Sequence, residues 1–206
     1  MPDNNWFKKR VNDTYLKKAH KENYRSRAAY KLKEIVEKYD LFKNVHRVLD
    51  AGAAPGSWTQ VAVEELSGKS AKIVAVDLIP MESIEGAIII QGDIRDNKIQ
   101  AEITSAAGGL FEVIISDMAP NTSGVHHADS GNSIELVATL LKLSPFWLKP
   151  GGSFAAKVFE GPEYKDLQTI AKSMFEFVKS FKPKASLSSS REIYLVCKNF
   201  VQTKNK

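Results

Sequence analysis

Residues 48–60 combine, in order, the end of an apolar strand, a turn with two glycines and the start of a helix. Asp50 ends the strand with a carboxylate. Gly52 and Gly56 let the backbone approach a ligand with no Cβ in the way, and Pro55 restricts the turn between them. In α/β sheets, ligands bind beside such a turn, at the carboxyl ends of parallel strands. On this stretch alone, an ordinary strand-to-helix connection that needs glycine remains the alternative.

Three more apolar segments end on an aspartate and predict further strands of the same sheet: residues 71–77, 87–93 and 111–117. Because parallel strands share one carboxyl edge, we expect four carboxylates there: Asp50, Asp77, Asp93 and Asp117. Asp77, roughly twenty residues or more past the glycine turn, suits the hydroxyls of a ribose. Asp93 could accept a hydrogen bond from an adenine amino group. A cap or turn is the alternative for each aspartate taken singly.

Apolar periodicity predicts the other elements. The first strand is expected at 47–50, a fifth at 153–159, and a closing pair at 182–185 and 191–197. Helices are expected at 24–38, 58–66, 133–148 and 163–179, with short or partly ordered helical segments at 1–20. Lys31 lies beside the apolar face of its helix. Lys157 lies within the fifth strand, where a charged side chain needs a partner.

Two other kinds of site are excluded. The tripeptide at 68–70 resembles the end of a P-loop, but Val63 stands where that motif needs a glycine. His126 and His127 are adjacent, so they lack the spacing that puts two ligands on one helix face, and we expect them in a surface loop. Cys197 is the only cysteine, which excludes an intrachain disulfide and a cysteine-cluster metal site. We predict no metal.

Length and composition fit one globular domain, residues 1–206, because 206 residues with 43% hydrophobic content can bury a substantial core. No run of about eighteen apolar residues is present, so no membrane span is predicted. Residues 1–10 contain no apolar segment of the kind found in secretory signals. With a single cysteine, a reducing, cytoplasmic location is expected, and we expect a monomer.

Basic residues concentrate at the two ends. Residues 1–33 carry ten Lys and Arg against three Asp and Glu, and residues 179–206 carry seven against one, within a net charge of +5. This asymmetry favours a polyanion held by the ends, and solvated surface lysines are the alternative. Aromatic rings among the N-terminal charges could stack on bases or, as expected for Tyr30, anchor a helix: Trp6, Phe7, Tyr15, Tyr24 and Tyr30.

Five stretches together resemble one enzyme family: Arg25-Ser-Arg-Ala-Ala-Tyr-Lys-Leu32, Asp50-Ala-Gly-Ala-Ala-Pro-Gly-Ser-Trp-Thr-Gln60, Ser116-Asp-Met-Ala-Pro-Asn121, Lys157-Val-Phe159 and Ser190-Arg-Glu-Ile-Tyr-Leu195. In this order and spacing they are similar to the FtsJ/RrmJ family of S-adenosylmethionine-dependent ribose 2′-O-methyltransferases, over nearly the whole chain. Ser57 departs from the family pattern, which often has a second glycine there, but its small side chain should be tolerated.

The resemblance implies an α/β, Rossmann-like class I S-adenosylmethionine-dependent methyltransferase fold. Its sheet would be seven-stranded and mostly parallel, with an antiparallel last strand. Within the single domain, residues 1–40 would form a basic N-terminal helical extension and residues 45–200 the Rossmann-like core.

The resemblance also implies the residues of the site. A catalytic tetrad is expected at Lys31, Asp117, Lys157 and Glu192. Contacts to S-adenosyl-L-methionine are expected at Gly52, Ala54, Pro55, Gly56, Trp58, Asp77, Asp93, Ile94 and Asp117. The implied partner is RNA, and the implied methyl acceptor is a uridine of ribosomal RNA within the large ribosomal subunit. The resemblance implies no metal and no membrane.

A ribose 2′-hydroxyl is a very weak acid, so its methylation needs an aimed oxygen and a group that deals with its proton. Lys157 could act as a neutral amine that takes the proton, or as a cation that stabilises the developing oxyanion. Asp117 would orient Lys157, while Lys31 and Glu192 would position the nucleotide.

Three alternatives stay open. Transfer RNA or an mRNA cap could replace ribosomal RNA as the acceptor. A small-molecule methyltransferase or a nicotinamide enzyme could share the fold, although the turn lacks the G-x-G-x-x-G pattern of nicotinamide enzymes. The protein could also be an RNA-binding ribosome assembly factor with incidental catalysis.

Overall fold

The computed structural model describes residues 13–120, 126–187 and 189–201. Seven strands are described in these ranges: β1 (Arg47–Ala51), β2 (Lys72–Asp77), β3 (Ala87–Gln91), β4 (Phe111–Ser116), β5 (Leu148–Phe159), β6 (Phe175–Phe181) and β7 (Glu192–Phe200). The helices described there are α1 (Thr14–Lys21), α2 (Ala28–Tyr39), α3 (Ser57–Glu65), α4 (Asn97–Ala107), α5 (His126–Trp147) and α6 (Tyr164–Met174).

All seven strands join one sheet, in the order β3-β2-β1-β4-β5-β7-β6. Strands β1 to β5 pair in parallel, and β7 pairs antiparallel with both β5 and β6. The predicted seven-stranded, mostly parallel sheet with an antiparallel last strand is confirmed. The chain runs from β1 outward to β3 and returns to the other side of β1 as β4. The carboxyl ends of β1 and β4 therefore form the switch point where α/β sheets bind ligands.

Strand β1 contributes to two separate cores. Val48 and Leu49 are both fully buried, yet they belong to different apolar clusters. Successive side chains of a strand point to opposite faces, so the sheet is covered on both sides. Leu49 shares its cluster with residues of α4, α5 and α6, and Val48 shares its cluster with residues of α2 and α3.

The C-terminal part differs from the prediction. Residues 175–179 were expected to extend α6, but they form the start of β6. Residues 182–185 were expected to form a strand, but they belong to the connection between β6 and β7. Phe175, Phe177 and Phe181 all lie in β6, and aromatic residues favour strands. Apolar periodicity alone predicted a longer helix, because Phe175 and Val178 also have helical spacing. Pairing with β7, which sequence periodicity does not register, decides in favour of the strand.

Two helices were missed or misplaced. No periodicity predicted α4, although Asp96 caps it by accepting from the Lys98 amide, and Gly108 ends it with a φ of +60°. Helix α5 begins well before residue 133, so the prediction of a loop at His126 and His127 is wrong. Of the helices in the described parts of the chain, none has the length and apolarity needed to cross a bilayer.

Three of the N-terminal aromatic residues are described. Tyr24 and Tyr30 are buried, with ring centroids 5.7 Å apart, so they anchor the start of α2. Tyr15 of α1 is half-buried and lies 5.5 Å from Tyr30. Tyr24 and Tyr30 belong to the core, and Tyr15 packs against it. Trp6 and Phe7 lie outside the described residues.

Candidate active site

The glycine turn after β1 is fixed to the tip of β2. The backbone N–H groups of Gly52 and Ala53 donate to the carbonyl of Val76, at 2.8 and 3.1 Å. Gly52 has a φ of +72°, and a Cβ on it would lie 1.9 Å from the Cγ of Met118. Only glycine fits there, because both the backbone angle and the space exclude a side chain.

Asp77, at the end of β2, is held by the same turn. Its Oδ2 accepts from the Ala54 amide at 2.9 Å, and its Oδ1 accepts from the Ile79 amide at 2.8 Å. A carboxylate offers about four lone-pair sites, so both oxygens can still accept from a further donor. The side chain predicted to hold a ribose is therefore rigidly placed beside the glycine turn.

A pocket of about 570 Å³ opens beside this turn. It is lined by Ala54 and Pro55 of the turn, by the segment 79–82 that follows β2, and by Arg25. The volume lies in the range of small-molecule sites. The structure therefore brings Ala54 and Pro55 to a cavity of the size a cofactor needs.

Asp93 and Ile94 follow β3 and lie outside the lining of this pocket. The Arg95 guanidinium contacts the Asp93 carboxylate, with Nη2 at 2.6 Å from Oδ2 and Nε at 2.9 Å from Oδ1. Hydrogen bonds from the side chain and backbone of Arg95 lower the pKa of Asp93. Ile94 packs against the core of the α4 side of the sheet.

Trp58 and Asp50 are more deeply buried than the sequence suggested. Trp58 is 2% exposed, donates its indole N–H to the Ala28 carbonyl at 2.9 Å, and stacks on Tyr194. Asp50 is fully buried because β1 continues to Ala51, so the expectation of four carboxylates at the open edge is wrong for Asp50.

The buried Asp50 carboxyl is only partly satisfied. Its Oδ2 accepts from the Thr59 hydroxyl at 2.6 Å, while its Oδ1 has no hydrogen-bond partner among the described residues. Burial raises the pKa of Asp50 to about 7, the Thr59 hydroxyl opposes this rise, and the nearby Asp117 and Asp77 add to it.

The four residues of the implied tetrad come together with one more side chain. We call the five residues the charged cluster: Lys31, Asp117, Lys157, Glu192 and Tyr194. Two ion pairs form it, Lys31 Nζ to Glu192 Oε1 at 2.6 Å and Lys157 Nζ to Asp117 Oδ1 at 3.1 Å. The Tyr194 hydroxyl donates to Asp117 Oδ1 at 2.8 Å and so adds a neutral donor to the second pair.

Strand register explains why these residues meet. Ser116 of β4 pairs with Ala156 of β5, so the next residues, Asp117 and Lys157, lie side by side at the carboxyl edge. Lys157 in turn pairs across the antiparallel ladder with Tyr194 of β7. Directly opposite residues on antiparallel strands share a face. Glu192, two residues before Tyr194, lies on this face as well.

Burial strengthens the electrostatics of the charged cluster. Lys31 and Lys157 are 8% exposed and Glu192 is 9% exposed, so each charge depends on its partner. Burial alone would raise the pKa of Glu192, but the ammonium groups of Lys31 and Lys157 hold it below its usual value. Burial and the carboxylates of Asp117 and Glu192 raise the pKa of Tyr194 well above its usual value, so its hydroxyl stays protonated.

Tyr194 was missed by the sequence analysis, although its position two residues after Glu192 in an apolar strand gave a signal. Met118, which follows Asp117 directly in sequence, occupies the space above Gly52 and so links the charged cluster to the glycine turn. The arrangement can hold a hydroxyl group at a buried ammonium, on the same edge of the sheet as the turn that lines the pocket.

Comparison with known proteins agrees with this geometry. The sequence profile of FtsJ-like methyltransferases matches residues 24–200. The chain belongs to this family. All five residues of the charged cluster lie within the matched range of the methyltransferase.

Several curated relatives of this methyltransferase are named Ribosomal RNA large subunit methyltransferase E. Those from Syntrophobacter fumaroxidans and Marinobacter nauticus are 46% and 44% identical, covering 90% and 96% of this chain and 94% and 95% of their own. The relative from Methanobrevibacter smithii is 40% identical over 98% of this chain and 96% of its own. A crystal structure described as a ribosomal RNA methyltransferase from Plasmodium falciparum superposes with a TM-score of 0.78, at 35% identity, over 86% of this chain and 98% of that one.

The described side chain of His127 takes no part in the charged cluster. The imidazole Nε2 of His127 lies 3.8 Å from a Glu163 carboxylate oxygen, and its side chain is 73% exposed. Among the described residues of the methyltransferase, no three His, Cys, Asp or Glu side chains are grouped so as to hold a metal ion.

Proposed function

We propose that the chain transfers a methyl group from S-adenosyl-L-methionine to a ribose 2′-hydroxyl of RNA, in ribosomal RNA of the large subunit. One observation carries this function: the pair of the buried Lys157 and the partly exposed Asp117 is linked to the glycine turn through Met118. A proton-handling ammonium and a cofactor-sized pocket thus share one edge of the sheet. The family membership supports methyl transfer, and the printed names of the relatives support ribosomal RNA as the acceptor.

The residues present fit the proposed methyl donor. Gly52 and Gly56, with φ values of +72° and +107°, let the turn pack closely against Met118 and Arg25, and Asp77 keeps acceptor capacity for ribose hydroxyls. Ala54 and Pro55 line the pocket. When bound, S-adenosyl-L-methionine supplies an electrophilic methyl group on a positively charged sulfur.

Other predicted contacts of the donor have weaker support. Trp58 offers almost no exposed surface, so we assign it a supporting place behind Tyr194. The Asp93 carboxylate would accept a hydrogen bond from an adenine amino group while it still accepts from Arg95. Ile94 stays a prediction.

Lys157 would hold the acceptor oxygen. Its Nζ can donate to, or take the proton from, the 2′-hydroxyl, and the Asp117 carboxylate keeps that nitrogen in place. The Tyr194 hydroxyl holds the same carboxylate from the other strand. The Lys31–Glu192 pair would contact the nucleotide and balance the local charge. A neutral and a charged Nζ remain distinct possibilities, which a pH–rate profile separates.

Exposed lysines around the site would bind the phosphates of the acceptor RNA. Helix α1 exposes Lys17 and Lys21, and the β6–β7 connection exposes Lys182 and Lys184. The Arg27 guanidinium joins these two elements, because it donates to Asp13 at the start of α1 and to the Ala185 carbonyl. We propose that the enzyme is cytoplasmic and monomeric and that it binds ribosomal RNA through these lysines.

Labelled methyl transfer tests the function. Large ribosomal subunits that lack the modification, free ribosomal RNA and transfer RNA would be offered with labelled S-adenosyl-L-methionine, and alkali-resistant dinucleotides would report 2′-O products. Label in large-subunit RNA is expected. Label in transfer RNA alone would replace the acceptor, and no label in any RNA would favour a binding factor without catalysis.

Lys157→Ala is expected to lower turnover by at least about a hundredfold, because the hydroxyl loses the group that handles its proton. Affinity for S-adenosylhomocysteine should stay unchanged. Lys149→Ala is a matched control, since Lys149 lies on the same strand and pairs with Glu112 at 3.1 Å, at the opposite edge of the sheet. Near-normal turnover of Lys157→Ala would remove Lys157 from the reaction.

A further inference from the structure

Arg25 reaches two separate segments of the chain with one guanidinium. Its Nη1 donates to the carbonyls of Pro55 and Glu82, at 2.9 and 3.0 Å, and its Nη2 donates to the carbonyl of Ser83 at 3.0 Å. Pro55 belongs to the glycine turn, and the other two residues belong to the segment after β2. The guanidinium therefore bridges two walls of the 570 Å³ pocket.

These contacts occupy most of the N–H donors of the guanidinium. The Arg25 side chain is 21% exposed, and a Cβ on Gly56 would lie only 2.8 Å from its Nη1, so the group packs directly on the turn. The Glu82 carboxylate lies 4.0 Å away and is 95% exposed, so that ion pair adds little. The carbonyl contacts are the ones that fix the geometry.

The backbone of Arg25 is also held by the helix that follows the turn. The Arg25 N–H donates to Gln60 Oε1 at 2.9 Å, and Gln60 Nε2 donates to the Asn23 carbonyl at 2.9 Å. The hydroxyls of Ser26 and Ser57 lie 2.7 Å apart. The segment before α2 is thus attached to α3 at several points, and the Arg25 side chain reaches back over the turn.

We propose that Arg25 is a positioning residue of the methyl-donor pocket, which holds the 79–83 segment against the glycine turn, and not a contact to RNA phosphates. Its place in the basic N-terminal segment would suggest a phosphate contact. The inference rests on the proposed function for the identity of the donor. It adds a residue outside the set predicted from the sequence.

Calorimetric titration of S-adenosylhomocysteine without RNA tests the proposal. Arg25→Ala is expected to weaken binding by about tenfold, because the 79–83 wall loses its attachment. Arg25→Lys should weaken it nearly as much, since one ammonium cannot reproduce the planar fork that meets three carbonyls. Amide hydrogen exchange of residues 79–83 should become faster in both variants. Arg47→Ala is the matched control, because the Arg47 side chain donates to the Ala107 carbonyl and packs on Gly109 at the amino edge of the sheet.

The same variants would be titrated with large-subunit ribosomal RNA over a range of salt concentrations. The slope of log affinity against log salt should stay the same in Arg25→Lys and Arg25→Ala. Unchanged S-adenosylhomocysteine affinity in both, or a shallower salt slope in Arg25→Ala that Arg25→Lys restores, would overturn the inference. If the unaltered protein itself failed to bind S-adenosylhomocysteine, the proposed function would fail first.

Discussion

The Tyr194 hydroxyl is the one uncharged donor in the charged cluster, and it supports the carboxylate that orients Lys157. Tyr194→Phe keeps the ring stacked on Trp58 and removes only the hydrogen bond. A bond to a charged group contributes about 1.5–3 kcal/mol, so turnover should fall about ten- to hundredfold, with S-adenosylhomocysteine affinity retained. Steady-state kinetics and calorimetry measure the two quantities. Tyr164→Phe, which loses the contact to Ser180 Oγ at 2.8 Å away from the site, is the control.

Asp50 should make stability depend on pH. Because burial raises its folded-state pKa to about 7, the folded chain keeps a proton that the unfolded chain releases near pH 4. The free energy of unfolding therefore falls as the pH rises from about 4 to 7. Asp50→Asn should remove that slope and raise the melting temperature at pH 8 relative to the unaltered protein. If the melting temperatures of the two proteins changed equally with pH between pH 4 and 8, this prediction would be contradicted.

At the residue scale, the resemblance predicted which side chains meet, and register explains how. Lys157 in a strand already demanded a buried partner, and the structure supplies Asp117. Tyr194 was missed because its position two residues after Glu192 indicates only a shared strand face, and not that its hydroxyl meets Asp117. Arg25 was counted as positive charge and as part of a resembling stretch but was given no role, since hydrogen bonds to carbonyls distant in sequence leave no pattern in the sequence.

At the element scale, the β6–β7 connection is held by helix α2. The Glu34 carboxylate accepts from the amides of Lys184 and Ala185, at 2.7 and 2.8 Å. Glu34→Gln removes the charge from these bonds and should lower the free energy of unfolding by about 1–2 kcal/mol. Amide exchange at residues 184 and 185 should become faster. Glu37→Gln, at an exposed position on the same helix, is the control, and equal exchange in both variants would argue against this attachment.

Secondary-structure elements with one clear sequence pattern were predicted well. Elements whose structure depends on pairing with another part of the chain were not. Strands β1 to β4 were found because each is an apolar run with an aspartate within two residues of its end. Strand β6 was read as helix because its apolar spacing fits both structures, and only its ladder with β7 distinguishes them. Helix α4 was missed although it has caps and its buried residues Ile99, Ile103 and Ala107 recur at helical spacing.

For the whole molecule, the basic surface predicts a salt-dependent affinity for RNA. Lys182→Ala combined with Lys184→Ala should make the slope of log affinity against log salt shallower by roughly 1.5, because each of the two lost phosphate contacts removes about 0.7–0.9. S-adenosylhomocysteine affinity should stay the same. Lys69→Ala combined with Lys72→Ala removes two exposed lysines at the amino edge and should leave the slope unchanged. Equal slopes in all three proteins would place the RNA elsewhere.

The fold class could be predicted for the molecule as a whole, because four apolar runs predicted a parallel sheet and the family resemblance implied its seven strands and antiparallel last strand. The division into a basic extension at 1–40 and a core at 45–200 stays a prediction, as does the monomer. Helix α2 joins the two regions, since it carries Lys31 of the charged cluster and packs in the same core as β1.

The strand order also sets the order in which the enzyme can mature during its own synthesis. Strand β7 is the last strand in the described chain, yet it lies between β5 and β6. Until it leaves the ribosome, β6 has no neighbour in the sheet and Lys31 has no carboxylate partner, because β7 carries both Tyr194 and Glu192. A nascent chain therefore cannot assemble the charged cluster before that strand is released and folded.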